Sequence, residues 1–486
     1  MKLSISKLIK RFGQENTRLY LLRRWSDEKY IHEFASLFTN QVRAPLPEHQ
    51  WEIMRDVPKY ARSAWAAPRG SGKSTLCDVI ILAYYSLFHK APFSVLLSDT
   101  ETKARLLLGA LKSELESNDA LRWLFGDVRG GVWGNEMIEL RTFFGESAIM
   151  ARGAGQSIRG LKWRRFRPYL LLIDDLEDDE QVESQERREK LENWFRFSVL
   201  RGLNKSWSKI IYIGTILHEK ALLGKIIAKG PGYGGWYTKK YKAIKDDGTS
   251  FWPELWPLEY LKAIRDDPTH PDYAGSVAFA QEMQNEPRSQ STKIINEGWL
   301  KYYNKTTKAL EEGWLASLHI VAAIDPAISE KELSSDFVCH VFGFDKNGYK
   351  WHLDTIRGKF SALKQIELFF DLYQTWQPDL VGIETIAYQK ALAQIIRAEG
   401  AKRNIYPHIK ELYTDKSKVR RMEKSSAQFE GGFIMLDSTH PETPVLVNQL
   451  LSFPEEPNDS ADCLNLVLET AGVKRGRAFR NKPAGM

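Results

Sequence analysis

The chain has 486 residues, 43% of them hydrophobic and 27% charged, and Lys and Arg outnumber Asp and Glu by 69 to 62 for a net charge of +7. That length exceeds one ordinary core, since a domain takes roughly 100–200 residues, and the balance excludes a disordered or fibrous chain. The three cysteines, Cys77, Cys339 and Cys463, form no CxxC or Cys/His cluster, which argues against structural zinc and a disulfide framework.

Residues 1–44 read as an amphipathic helical segment: LYLLRRWSDEKYIHEFASLF repeats its apolar residues at three- and four-residue spacing. The opening MKLSISKLIKRFG is basic but lacks the apolar run of a signal peptide, and no stretch approaches the ~18 apolar residues of a bilayer span. The expectation is a protein that is not secreted and has no membrane partner. From 45 to 216, short apolar runs such as YLLLI alternate with helical segments, the pattern of a parallel α/β sheet buried on both faces. Residues 217–300 are richer in Gly, Pro and Trp (GPGYGGWY, FWPELWP) and read as a small linker or lid subdomain. Residues 301–472 restart with HIVAAIDPA, FVCHVFGFD and YKWHLDTI before a helix and PDLVGIET, which predicts a mixed sheet, antiparallel first and parallel afterwards. Residues 473–486 form a basic tail with Gly and Pro.

Two constellations carry chemistry. Ala67-Pro68-Arg69-Gly70-Ser71-Gly72-Lys73-Ser74-Thr75 fits a phosphate-binding loop between a strand and a helix, with Ala67 where the first Gly is usual. Gly70 and Gly72 let backbone N–H groups curl around phosphates, Lys73 reaches the β- and γ-phosphates of ATP, and the Ser74 hydroxyl suits Mg2+. The apolar strand Tyr169–Ile173 ends in Asp174-Asp175, a Walker B pattern in which Asp174 holds the metal through water. Asp175 and Glu177 are both candidates for polarising the attacking water, with register favouring Asp175; Asp178, Asp179 and Glu180 read as a solvated loop. In the second half, Asp325 and Glu384 end strands, and Asp459 and Asp462 open a helix. RNase H-like nucleases gather hard oxygen ligands for Mg2+ or Mn2+ in this order, and two ions ~4 Å apart would activate water and stabilise the leaving oxygen. Asp459 is slightly preferred over Asp462 as the third acid, and Asp336 and Asp354 read as structural.

The GKS loop, the strand ending in two Asp, Gly214-Thr215, the segment Gln281–Pro287, Ile324-Asp325-Pro326, Gly382-Ile383-Glu384 and Asp459–Cys463 resemble, in order and spacing, the large terminase subunits of tailed bacteriophages. The resemblance runs from about Pro45 to Gly472. It implies a P-loop ATPase of the ASCE type with a small linker subdomain, followed by an RNase H-like nuclease domain. It implies ATP hydrolysis that drives double-stranded DNA into a procapsid and cleavage of concatemeric DNA. Further implied partners are the small terminase subunit and the portal protein. The implied assembly is a homo-oligomeric ring, a pentamer when docked on the procapsid in the host cytoplasm, with a monomer in solution. By position, Thr215 matches a coupling residue that senses the γ-phosphate, Gln50 an adenine-recognising Gln, and Arg159 an arginine finger. Helix packing explains Gln50 equally well, and a surface ion pair Arg159. Lys418 and Arg421, in the run Lys416–Arg421, match residues that touch the DNA backbone, and Lys162–Arg167 is a second basic patch. Competing readings are another ATP-dependent nuclease or helicase of repair or defence, and a non-catalytic adaptor with a degenerate P-loop. A helicase would carry a second RecA-like half where residues 300–470 offer acids instead.

Overall fold

The structure, a computed structural model, describes residues 5–41, 46–203, 207–287, 293–326, 336–384, 387–412 and 418–472; the basic tail and Lys416-Ser417 lie outside them. The chain divides into two compact units, Met1–Asp266 with Ala278–Ser289, and Asp267–Val277 with Gln290–Met486.

The first unit is built on eight strands: β1 (Arg62–Ala66), β2 (Phe93–Ser98), β3 (Arg129–Trp133), β4 (Met137–Thr142), β5 (Gly145–Gly153), β6 (Leu170–Asp174), β7 (Lys209–Gly214) and β8 (Tyr237–Lys240). Their order is β3-β4-β5-β2-β6-β7-β1-β8. From β5 to β8 every pairing is parallel, while β3, β4 and β5 pair antiparallel. Central strands such as Phe93–Ser98 are buried at every residue, which is why they read as unbroken apolar runs. One face packs Leu21, Trp25, Phe34 and Phe38 of the N-terminal helices against Ile80, Leu96 and Leu172, so these helices belong to this core. The opposite face packs Val95, Leu171 and Tyr212 against Phe195, Leu223 and Trp236. The stretch from 217 carries a small core of its own around Phe251, Trp252, Leu261 and Phe279. It is not a separate body, because β8 extends the main sheet beside β1.

The second unit holds β9 (Lys301–Tyr303), β10 (His319–Asp325), β11 (Phe337–Phe344), β12 (Lys350–Gly358), β13 (Leu380–Glu384), β14 (Ile409–Leu412) and β15 (Ile434–Asp437), in the order β14-β13-β10-β11-β12-β15-β9. The first three long strands, β10 to β12, form an antiparallel meander, and β13 and β14 then add parallel to β10. This is the mixed sheet expected from the sequence. The Asp459–Ala471 helix lies across it, burying Cys463, Leu464 and Val467 against Val321, Ala323 and Val338. Gly382 on β13 permits that approach: a Cβ there would lie 1.9 Å from Thr470 Oγ1. Cys339 and Cys463 are buried free thiols. Among the described residues no helix is long and apolar enough to cross a membrane.

Candidate active sites

In the first unit, β6, β7 and β1 are parallel neighbours, so their C-terminal ends share one edge of the sheet. That edge brings together the loop after β1, Asp174-Asp175 after β6 and Thr215 after β7, which lie far apart in sequence. Ligands of open parallel sheets bind at such carboxyl edges. Gly70 and Gly72 both have φ of +71°, where a side chain would strain the backbone. A Cβ on Gly72 would also come within 2.6 Å of Gln50 Nε2, and one on Gly70 within 2.4 Å of the Trp256 ring.

The loop is held from behind. Gln50 Nε2 donates to the Ser71 carbonyl at 2.7 Å, and His49 Nε2 donates to the same oxygen at 3.2 Å. His49, Gln50 and Ser71 are buried. Burial pushes the His49 pKa down to about 4, so the imidazole is neutral. Of the two readings of Gln50, packing and adenine recognition, the structure describes the first: its amide braces the loop from behind. The Trp256 indole N–H donates to the Gly70 carbonyl at 3.0 Å. Arg69 is exposed and pairs with Glu282 at 2.9 Å. The neighbouring Gln281 donates to the Leu217 carbonyl, and Asn285 accepts from Ile216 N–H, so the segment around 281–285 fastens the loop that follows β7.

Lys73, 8% exposed, donates from Nζ to Thr215 Oγ1 at 2.9 Å and lies 3.3 Å from Asp175 Oδ2. Thr215 in turn donates from Oγ1 to the Ala67 carbonyl and from N–H to Asp175 Oδ1. Ser74 Oγ donates to Asp174 Oδ2 at 2.7 Å, and Thr75 opens the following helix. The Asp174 carboxyl is fully buried and lies against that of Asp78. Burial and then the charge of Asp175 raise the Asp174 pKa to about 6. A carboxylate beside a serine hydroxyl at the mouth of a phosphate loop has the hard oxygen donors that suit a magnesium ion.

Asp78, four residues beyond Ser74, is a feature the sequence reading passed over. It is buried, and its carboxyl lies against that of Asp174; burial and the Asp174 charge hold its pKa well above the carboxylate range. Nothing local marks it, since a single Asp in an apolar helix has no signature until its partner is placed.

The two candidate bases separate. Asp175 faces Lys73 and Thr215, whereas Glu177 is buried and committed elsewhere. Glu177 accepts from the N–H groups of Leu222 and Leu223 at 2.6 and 2.9 Å and from Tyr212 Oη at 3.2 Å, capping the Leu222–Ile227 helix. Its partners lie 35 to 46 residues downstream, beyond the reach of motif reading. Asp178 corrects the solvated-loop expectation, for it accepts from Gln181 N–H and caps a short helix beginning at Asp179. Arg159 is exposed on a turn after β5. In the basic patch that follows, Trp163 is buried and Arg164 is paired with Glu146.

In the second unit Asp325 ends β10 and Glu384 ends its parallel neighbour β13, while Asp459 and Asp462 lie in the first turn of the helix laid across them. The four carboxylates converge: burial, followed by the charges of Asp462, Glu384 and Asp459, lifts the Asp325 pKa to about 8. Asp462 is fully buried, and Arg421 grips it through Nη2 at 2.7 and 2.9 Å. The same guanidinium donates from Nη1 to Glu384 Oε1 at 2.9 Å. Arg421 is only 3% exposed, so it is an internal cation and not the DNA contact its sequence neighbourhood suggested. Lys418 lies 3.2 Å from Asp462 Oδ2, also meets Asn458 Oδ1, and keeps 45% of its side chain exposed. Asp459 is half-buried and accepts from Asp336 N–H. Asp336 pairs with Arg357, and Asp354 accepts from Trp376 and pairs with His440, as structural acids would.

The helix start is braced as the phosphate loop is. Buried His340 donates from Nε2 to the Ser460 carbonyl at 2.9 Å and accepts from Thr355 Oγ1 on Nδ1, and burial lowers its pKa to about 4. Among the described residues no three His, Cys, Asp or Glu side chains are arranged to hold one metal ion. Glu384 and Asp462 are both held by Arg421 in this structure.

No protein-family model and no curated protein matches the chain. Solved structures do. The large terminase from a thermophilic bacteriophage, in its crystal form 2, aligns with a TM-score of 0.51 at 9% identity, covering 88% of this chain and 99% of that one. Crystal form 3 of the same terminase gives a TM-score of 0.50 with the same identity and coverage, as does crystal form 3 in complex with ATP-gamma-S. At such identity the likeness shows the fold: this chain has the two-domain fold of a phage large terminase.

Proposed function

We propose that the chain is the large subunit of a viral DNA-packaging motor, which hydrolyses ATP to move double-stranded DNA into a procapsid and cuts concatemeric DNA with its second unit. The observation that carries this reading is the convergence of Lys73, the Ser74–Asp174 pair and Asp175 on one sheet edge, in a chain whose fold is that of a large terminase along 88% of its length.

At the first site, Ser74 and Asp174 would hold magnesium, which supplies charge neutralisation between the β- and γ-phosphates. Lys73 sits on Asp175 and Thr215, and a γ-phosphate arriving at the loop competes for that ammonium. Transfer of Lys73 to phosphate frees Asp175 to accept a proton from water. Thr215, bonded to both Lys73 and Asp175, registers the exchange at the end of β7. Arg159, exposed after β5, is available to the ATP of a neighbouring subunit in a ring. At the second site Asp325 and Asp459 would offer carboxylate oxygens to magnesium or manganese, which would supply an activated water for phosphodiester cleavage. Half-exposed Lys418 suits the DNA backbone, a contact that positions without reading sequence. The motor docks through the portal protein and receives DNA from the small subunit.

The test is ATP turnover with and without double-stranded DNA, followed by packaging into purified procapsids. DNA-stimulated turnover and protected DNA are expected. A folded chain that neither binds nor hydrolyses ATP returns the reading to a non-catalytic adaptor.

A further inference from the structure

A cavity of about 580 Å3 opens in the second unit, away from the acids described above. Trp314 and Ser317, which precede β10, line it together with the turn between β11 and β12. His319 at the start of β10 pairs with Phe344 at the end of β11, so these segments meet at one end of the sheet. The seven residues of β10 carry the chain to Asp325 at the opposite end, roughly 20 Å away.

The lining is aromatic and cationic. Trp314 and Trp351 meet nearly at right angles, with ring centroids 5.7 Å apart and an interplanar angle of 87°. Tyr349 lies 6.0 Å from Trp351 and is partly exposed. Such a corner takes a flat ring, one wall against its face and the other at its edge. The two indole N–H groups differ. Trp351 Nε1 donates to Asp345 Oδ2 at 3.1 Å, whereas Trp314 Nε1 is buried with no hydrogen-bond partner among the described residues. An unpaired buried indole N–H is costly, and a carbonyl oxygen or ring nitrogen on a bound ligand relieves it. Lys308 Nζ lies 5.2 Å from the Trp351 ring centroid, and Lys346 is exposed on the turn. Asp345 is the one acid among the described lining residues, and the N–H groups of Asn347, Tyr349 and Trp351 already occupy its oxygens. A flat ring that bears acceptors and is joined to an anion is the chemistry of a nucleotide, and the volume lies in the usual range for such ligands.

The geometry points to this cavity as a second nucleotide-binding site, in which the base lies in the corner of Trp314 and Trp351, accepts from the Trp314 N–H, and leaves its phosphate to Lys308 and Lys346. A free mononucleotide and an unpaired nucleotide at a DNA end carry the same chemistry. Stacking reads the face of a base, so the site is tolerant of sequence. The inference stands apart from both activities proposed above, because no residue of either site takes part in it.

Two measurements test it, both on the full chain carrying Lys73→Ala, which silences the phosphate loop, and both without divalent ions. In one, dTMP binding is followed by calorimetry. In the other, a duplex with a single-stranded tail carrying a photoreactive iodouracil base is crosslinked and the attachment mapped by mass spectrometry. Saturable binding of dTMP, or a crosslink to Trp314, Trp351 or Tyr349, is expected. Binding of dTMP without a crosslink supports the site with a free nucleotide as its ligand; a crosslink without dTMP binding supports it with a DNA end. Trp314→Phe keeps a ring and removes the donor, and should weaken the ligand that binds about five- to tenfold. Tyr349→Ala, at a partly exposed position, should weaken it by about tenfold. A folded protein that shows neither dTMP binding nor a crosslink at these rings overturns the inference. Binding that both variants leave unchanged overturns it equally, since the nucleotide then sits elsewhere. If Trp314→Phe does not fold, the crosslink map and Tyr349→Ala decide.

Discussion

The two sites solve the same electrostatic problem in different ways. Each gathers carboxylates at the ends of parallel strands, and each sets a cation against them. In the first unit that cation is Lys73, a flexible ammonium resting on Asp175 and Thr215, both of which it can leave. In the second it is Arg421, a rigid fork clamped between two buried acids. A lysine that changes partners suits a site that must sense whether a phosphate is present. An arginine that cannot leave suits a site whose shape is set before its substrate arrives. The difference between exchangeable and permanent neutralisation is what the following experiments probe.

The largest effects come from removing the central charge at each site. Lys73→Ala should lower ATP turnover by about 10³-fold or more while metal-dependent cleavage of plasmid DNA persists. Asp325→Ala should do the reverse, reducing cleavage by about 10³-fold with ATP turnover within about twofold of the parent. Paired assays on each purified variant read both activities. Parallel loss of both in a folded variant would remove the independence of the two units.

A smaller and sharper contrast lies within the first site. Asp175→Asn should reduce turnover by about 10²-fold, because an amide cannot accept the proton of the attacking water. Glu177→Gln should leave turnover within a few-fold and instead lower stability by about 1–2 kcal/mol, since the cap on the Leu222 and Leu223 N–H groups is weakened. Turnover and melting temperature measured on both variants separate the roles. A Glu177→Gln protein that melts normally and turns over about 10²-fold more slowly would reverse the assignment.

These contrasts also mark how far the sequence could be read. The Gly-rich loop, the paired Asp, Gly-Thr and the strand-end acids are local patterns, and the order of the strands that carry them follows from alternating apolar runs. What stayed hidden depends on partners remote in sequence. Glu177 looks like a catalytic acid until Leu222 and Leu223 claim it. Gln50 reads equally as a base reader or a packing residue until Ser71 is found against it. Arg421 sits in a run of Lys and Arg that reads as a contact to the DNA backbone, and only the packing of its helix against Glu384 and Asp462 turns it inward. Asp78 gave no signal because its one relevant neighbour, Asp174, is 96 positions away.

The finest comparison concerns two buried histidines. His49 holds the Ser71 carbonyl of the phosphate loop, and His340 holds the Ser460 carbonyl at the start of the acid-bearing helix. Both are N–H donors from Nε2, and burial lowers both pKa values to about 4. An unfolded histidine titrates near 6.5, so between about pH 6.5 and 4 the unfolded chain binds the proton and the folded chain does not. The stability each imidazole contributes is therefore present above about pH 6.5 and lost as the pH falls toward 4. Between pH 7 and pH 5 the loss is about 2 kcal/mol per histidine. Other groups titrate in the same window, so the informative quantity is the gap between parent and variant. His340→Gln keeps a donor but removes the titration, and its gap in melting temperature from the parent should narrow as the pH falls from 7 to 5. His49→Gln should behave alike, by the same amount, in the transition of the first unit. A gap that is independent of pH for either variant would mean that its imidazole titrates in the folded protein as it does in the unfolded chain, so that burial does not hold it neutral.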